Sequence, residues 1–138
     1  MSRGIKNSQL VRFALVGGVN TALDFGIFLT LATTGLDVKI ANVISTSLAF
    51  VFSFFANKKY TFKTTDSNVR REILLFIIVT LFGLWILQTI VIQGVLALLT
   101  SITLDDSLKR LIAKLIATIV SLTWNYLLYS RVVFKKAP

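Results

Sequence analysis

This sequence offers few tools for bond-making chemistry. Its 138 residues include no His and no Cys. That removes the commonest metal ligand, the usual general base, any thiol nucleophile and any disulfide framework. Six acidic residues are scattered along the chain, and no G-x-x-x-x-G-K-[ST] or zinc-finger spacing occurs. The residues that stand out are instead amides, hydroxyls and cations set into or beside long apolar runs. Their chemistry is hydrogen bonding and anion binding, so neither a catalytic residue, a metal nor a cofactor is expected.

The first such group is Gly17, Asn20, Thr21 and Asp24, spaced i, i+3, i+4 and i+7 and therefore on one helix face. Asp24 is the most demanding of them. An ionised carboxylate in mid-membrane costs about 2.5–3.5 kcal/mol on insertion scales, so it must face protein or water or be protonated. It could be a proton or substrate contact. Gly17, Asn20 and Thr21 fit equally a stripe that lets helices approach closely. A second face carries Asn42, Ser45, Ala49, Ser53 and Ala56, with Asn42 and Asn57 near its two ends. A third carries Lys114, Ala117, Thr118, Ser121 and Asn125, with Lys114 near enough to one end to snorkel. Trp124 and Tyr126 lie deeper than an aromatic belt requires, whereas Tyr60 and Tyr129 fall where a belt is expected. The run Asn57-Lys58-Lys59-Tyr60-Thr61-Phe62 sets cations beside aromatic groups, where lipid phosphates lie. Lys and Arg in that position can donate charge-assisted bonds to phosphate oxygens. The plainer reading is an ordinary interfacial anchor.

These groups are positioned by four apolar stretches. Residues 13–36 contain one charge, Asp24; 40–57 contain none; 73–104 contain none; and 111–130 contain only Lys114. A bilayer core takes about 20 apolar residues as helix, and each stretch suffices. Apolar residues make up 55% of the chain and charged residues 15%. A soluble domain carries about 25% charge, so this chain lacks a soluble domain's polar coat. Residues 73–99 offer only Thr80, Gln88, Thr89 and Gln93, which do not make the polar face of a soluble helix. Period-two alternation is absent, which argues against a β-barrel. The expected fold is an all-α membrane protein, one domain over 1–138, with helices at about 11–36, 40–58, 73–102 and 109–131.

The net charge of +9 is distributed by topology. The N-terminal segment holds Arg3, Lys6 and Arg12. The middle loop holds Lys58, Lys59, Lys63, Arg70 and Arg71, and the C-terminal segment Arg131, Lys135 and Lys136. The two alternate loops hold only Lys39, Lys109 and Arg110: eleven cations against three. The positive-inside rule then puts both termini and the middle loop in the cytoplasm. The basic charge reads as topology and contact with anionic lipid, not as a nucleic-acid surface.

A shift of 72 residues lays residues 41–63 over 113–135. Ala41/Ala113, Ile44/Ile116, Thr46/Thr118, Phe62/Phe134 and Lys63/Lys135 are identical, and Lys59/Arg131 agree in charge. Both segments leave the membrane through cation-x-x-Phe-Lys. The chain thus reads as two parallel-repeat helical hairpins, as in transporters built from duplicated units.

Several of these residues also carry a family resemblance. Arg12-Phe13, then Val16-Gly17-Gly18-Val19-Asn20-Thr21 with Asp24, resemble the opening of GtrA-like membrane proteins. Ala41-Asn42, Phe50, Phe54 and Asn57-Lys58-Lys59-Tyr60-Thr61-Phe62 resemble its second-helix signature, and Arg131-x-x-Phe134 its closing motif. The resemblance spans about residues 10–136. It implies a four-helix fold loosely akin to small multidrug-resistance transporters. The implied function is translocation of polyprenyl-phosphate-linked monosaccharides across the bacterial inner membrane, for cell-surface polysaccharide glycosylation. Carried to this chain, the matching positions are Asn20, Asp24, Asn42, Asn57, Lys58, Lys59 and Arg131. Asn125 joins them as a groove-lining amide. The implied partners are the polyprenyl-phosphate-sugar lipid, membrane lipids and a glycosyltransferase, and four helices are thin enough for a homodimer to be plausible. Two other readings stay open: a non-transporting subunit that positions a glycosyltransferase, and a small proton-coupled exporter, whose cationic cargo a basic inner mouth would repel.

The charge distribution makes a direct prediction. Reporter fusions at Asp37 and Asp105 should read as external and one at Ser67 as cytoplasmic. A cytoplasmic signal at Asp37 would overturn the orientation.

Overall fold

A computed structural model of the chain describes residues 2–65 and 67–135, with the side chains of residues 2–6 and of Lys39 outside that description. Of the cations counted above, Arg3, Lys6, Lys39 and Lys136 are therefore not placed. The described residues are almost entirely helical and contain no strand. Four helical spans are long and apolar enough to cross a membrane: Asn7–Thr33, Ile40–Thr61, Val69–Leu98 and Asp106–Val133. Large apolar side chains such as Ile119, Trp85 and Leu98 are exposed along them. A fold with its apolar surface outward needs lipid as its solvent, so the chain is a multi-pass membrane protein.

The chain divides into two compact units at Ser67/Asn68, each a helical hairpin. The first pairs α1 (Ser2–Thr33) with α2 (Val38–Ala56), and α2 runs on into a π-helical turn, Asn57–Thr61. Gly35 ends α1 at φ +86, a left-handed conformation that glycine adopts without steric cost. Asp37 then starts α2 by accepting from the Ile40 N–H at 3.3 Å. Two contacts fix the antiparallel pairing. Arg12 Nη2 donates to Thr61 O at 3.5 Å near one end, and Thr46 Oγ1 donates to Asp24 Oδ1 at 3.4 Å farther along.

The second unit contains α3 (Val69–Leu81), a π-helical turn (Phe82–Leu87) and α4 (Gln88–Leu98) in one continuous span. The return helix, α5 (Asp106–Leu128), ends in a third π turn, Tyr129–Val133. Asn68 caps α3 and Asp105 caps α5. These caps start the third and fourth spans three or four residues earlier than hydropathy suggests and put Arg70 and Arg71 in a helical turn, not a loop. With Glu72 and Asp106 also in first turns, where the helix dipole favours negative charge, most of the acidic residues have a structural position. Asp24 is the acid within an apolar span.

The 72-residue repeat is present in the backbone. Phe62 N–H bonds to Asn57 O and Phe134 N–H to Tyr129 O, both at 2.8 Å and both i→i−5. The two π turns are thus related by the same shift as the sequence. Burial repeats with them. Ala41, Ser45, Ala49, Asn57 and Thr61 are buried, and so are Ala113, Ala117, Ser121, Asn125, Tyr129 and Val133. The stripe keeps Ser45, Ala49, Ala117, Ser121 and Asn125 of the faces read above but starts at Ala41 and Ala113, whereas Asn42 and Lys114 are exposed.

The middle π turn marks a close helix approach. A Cβ on Gly83 would lie 3.0 Å from Asn125 Oδ1 and 3.2 Å from both Ser121 Oγ and Trp124 Cδ1. Trp124 has little room to yield, because its indole N–H donates to Val79 O at 3.3 Å and its ring stacks on Phe82 at 5.1 Å. Overpacking of this kind costs about 1–3 kcal/mol, more than the ~1 kcal/mol that Ala gains over Gly in a helix. Gly83→Ala should therefore lower the thermal stability of the detergent-solubilised protein. Gly94→Ala, where nothing lies within 4 Å, should leave it unchanged or raise it. Equal behaviour of the two variants would contradict the close approach.

Candidate functional site

The first hairpin gathers its polar groups where α2 becomes the π turn. Asn57 is 2% exposed, and its amide donates to Ser53 O at 2.9 Å and to Ser53 Oγ at 3.3 Å. It therefore closes the end of α2 by capping a carbonyl. Its Oδ1 has no partner, and neither does Thr61 Oγ1 nor Arg12 Nε, although all three atoms are buried. A buried polar atom without a partner costs about 1–3 kcal/mol. One end of one hairpin thus holds an unused donor, an unused acceptor and an unused hydroxyl. Lys58 is 6% exposed, and its ammonium donates to Ser67 Oγ. Its neighbour Lys59 is exposed, as is Tyr60. Lys58 is thus committed to structure within the hairpin, and Lys59 is the accessible cation.

Beside this polar end lies an apolar groove of about 420 Å³, lined by Leu15, Val16, Val19, Phe52, Ala56 and Tyr60. Charge and groove are neighbours in sequence, since Tyr60 follows Lys59 directly. Such a pairing suits an amphiphile whose anionic head and apolar chain are joined.

Farther along the same hairpin, Asp24 accepts from Thr46, so the carboxylate has a partner from the facing helix. Asn20, one turn away on α1, has a buried Oδ1 with no partner. Thr21 leaves this group, because its hydroxyl donates to Gly17 O at 3.0 Å within its own helix. Asn42 is exposed and lies near the loop end of α2, apart from Asn57. The helix start there is capped by Asp37, not by Asn42.

In the second hairpin Asn125 is 9% exposed and faces Gly83, and its Oδ1 is unpartnered. Arg131 is exposed on the third π turn, at the position equivalent to Lys59. Tyr129 is not the interfacial belt residue expected. It is buried, its hydroxyl bonds Thr80, and its ring stacks on Phe76 at 4.6 Å and meets Phe134 at 6.0 Å. This aromatic cluster holds the third π turn, and Tyr60 alone of the pair stands at the surface. Lys114 is exposed, and its Nζ donates to Gln88 Oε1 of the facing span at 2.7 Å. The expected residues thus fall into groups within each hairpin. Asn57, Lys58 and Lys59 share one end of the first, Asn20 and Asp24 its middle, and Asn125 and Arg131 the second.

Sequence reasoning left out Arg12 and Thr61 as site residues, and also Gln88. Arg12 looked like one more topogenic cation. Only its hydrogen bond to Thr61, 49 residues away, shows that it belongs with Asn57. Gln88 carried a weak signal as one of four polar side chains in a long apolar run. Among the described residues no cluster of carboxylates could hold a metal ion.

The sequence comparisons identify the family. The family description "GtrA/DPMS, transmembrane domain" matches residues 12–134. The cell wall teichoic acid glycosylation protein GtcA of Listeria monocytogenes is 28% identical over 131 residues, covering 92% of this chain and 85% of the relative. Its Listeria innocua counterpart is 29% identical over 131 residues, with the same coverage. The uncharacterized membrane protein YngA of Bacillus subtilis is 28% identical over 122 residues, covering 88% and 76%. The matched span begins at Arg12, inside the first helical span, and ends at Phe134, and so takes in the other three spans and the three π turns. The chain belongs to the GtrA/DPMS transmembrane-domain family.

Proposed function

We propose that this chain moves a polyprenyl-phosphate-linked monosaccharide across the bacterial cytoplasmic membrane for glycosylation of a cell-surface polymer, without itself making or breaking a bond. The carrying observation is the end of the first hairpin. Unpartnered buried groups of Arg12, Asn57 and Thr61 sit in the same segment as the exposed Lys59 and an apolar groove of about 420 Å³. The names of the two Listeria relatives, which concern teichoic acid glycosylation, support the same reading.

A flipped lipid presents three chemistries, and this chain has a counterpart for each. Its phosphate needs cations, which Lys59 and Arg131 offer at equivalent positions of the two π turns. Its isoprenoid chain needs an apolar surface open to lipid, which the groove past Tyr60 offers. Its sugar needs hydrogen-bonding groups along the way, which Asn20, Asp24 and Asn125 offer from within the spans. The absence of a nucleotide-binding motif from the sequence leaves the substrate gradient or a proton as the driving force. The positive-inside rule supports a cytoplasmic position for the first and third π turns.

Binding tests the phosphate contacts. Lys59→Gln or Arg131→Gln should each weaken binding of a polyprenyl-phosphate lipid in nanodiscs about tenfold, the ~1.5 kcal/mol of a hydrogen bond to a charged group. Lys135→Gln should have little effect. Equal losses at all three would reduce the site to general attraction for anionic lipid.

Transport tests the role of Asp24. With Thr46 donating to it, Asp24 acts as a polar contact, and Asn keeps most of that capacity. Asp24→Asn should therefore retain most of the flipping rate in proteoliposomes, with or without a pH gradient. Loss of flipping in this variant, together with gradient dependence in the wild type, would make Asp24 a proton carrier. Lipid binding without any flipping by the wild type would favour the non-transporting subunit instead.

A further inference from the structure

One cation of the second hairpin, Lys114, is exposed within an apolar span yet takes its partner from a buried side chain of the facing span. Lys114 lies eight residues into α5, about 12 Å from its Asp106 end. A lysine at that depth ordinarily lays its stem along apolar surface and takes its charge to the nearer water. Here Nζ donates to Gln88 Oε1 at 2.7 Å. Gln88 is 7% exposed and is the first residue of α4, about 15 Å from the Leu98 end. The ammonium thus reaches across to the facing span of its own hairpin.

Its partner there is neutral. Among the described residues no carboxylate accepts from Lys114. The acids of its own helix, Asp105 and Asp106, stand two turns away, where Asp105 caps the helix start. An ammonium carries three N–H donors, and Gln88 takes one. A positive charge in an apolar span without a counter-charge favours an anion able to reach that depth. One turn toward the loop end, on the same face, is Arg110. Lys109 and Arg110 line a pocket of about 310 Å³ with Leu96, Thr100 and Asp106. An anion leaving Lys114 toward the loop end therefore meets further cations.

We propose that Lys114, positioned by Gln88, is a second anion site, separate from the π-turn cations, and that it takes a lipid-borne phosphate ester. A free phosphate ion would have to shed its hydration to reach it, whereas a phosphate on an apolar chain is carried there by the chain. Lysine binds phosphate as a compact point charge. The naming of the lipid rests on the translocation reading above; the charge and its placement do not.

The test uses the full chain in nanodiscs of neutral phosphatidylcholine, with undecaprenyl phosphate as the probe and native mass spectrometry as the readout. In a Lys59→Gln, Arg131→Gln background, residual binding reports on Lys114. Adding Lys114→Gln should weaken it tenfold or more, and adding Gln88→Leu should weaken it in the same direction. Lys114→Arg should largely retain it. Thermal stability of each variant separates loss of binding from loss of fold. Undecaprenol should not bind, and inorganic phosphate or phosphatidylglycerol should compete poorly. Residual binding unchanged by Lys114→Gln would overturn the site, and equal competition by phosphatidylglycerol or phosphate would overturn its assignment to the polyprenyl lipid. Binding that depends on Lys114 in a protein that does not flip lipid would overturn the translocation reading and leave the site standing.

Discussion

Each hairpin ends on one backbone hydrogen bond that spans five residues instead of four: Phe62 to Asn57, and Phe134 to Tyr129. That extra residue is the constraint on which the functional end depends. A π turn re-aims the side chains that follow it relative to the α-helix before it. Within the two turns Asn57 and Thr61 are buried while Lys59 and Tyr60 are exposed, and Tyr129 and Val133 are buried while Arg131 is exposed. The two turns obey one 72-residue shift, so the cations Lys59 and Arg131 occupy one structural role twice.

Polar groups in the apolar spans are handled in two distinct ways. Hydroxyls are mostly settled at home: Thr21, Thr30, Thr89, Thr118 and Thr123 each donate to a carbonyl four residues back. That is the usual accommodation of Ser and Thr in a membrane helix. Amides and charges are not settled so locally. Asp24 and Lys114 take partners from the facing helix of their own hairpin, whereas Asn20, Asn57 and Asn125 keep a buried oxygen without one. Groups that cost energy to bury and are not consumed by the fold are those available to a substrate.

The helices, the repeat and the membrane setting were legible in the sequence, because hydropathy over twenty residues and the placement of cations are long-range averages that local detail does not disturb. The motif around Asn57–Phe62 was legible too, as residue types. What was not legible is which of two adjacent lysines is buried. Lys58 and Lys59 are equivalent in type, and only the packing of the hairpin and the bond from Lys58 to Ser67 tell them apart. The same holds at Tyr129, which reads as a belt tyrosine until its packing on Phe76 and Phe134 is seen. Nor was the partner of Lys114 legible, because Gln88 lies 26 residues away on the facing span. Arg12 was hidden among topogenic cations for the same reason: its partner is 49 residues away.

The central claim is that the paired π turns are phosphate-recognising ends for a lipid-linked sugar. The most direct measurement is an experimental structure of the full chain in a nanodisc that contains a polyprenyl-phosphate-linked sugar. The account predicts phosphate density within hydrogen-bonding distance of Lys59, with the isoprenoid chain entering the groove beside Tyr60, or phosphate density at Arg131 of the second hairpin. Phosphate density confined to ordinary annular lipid positions, with both π turns unliganded at saturating lipid, would contradict it.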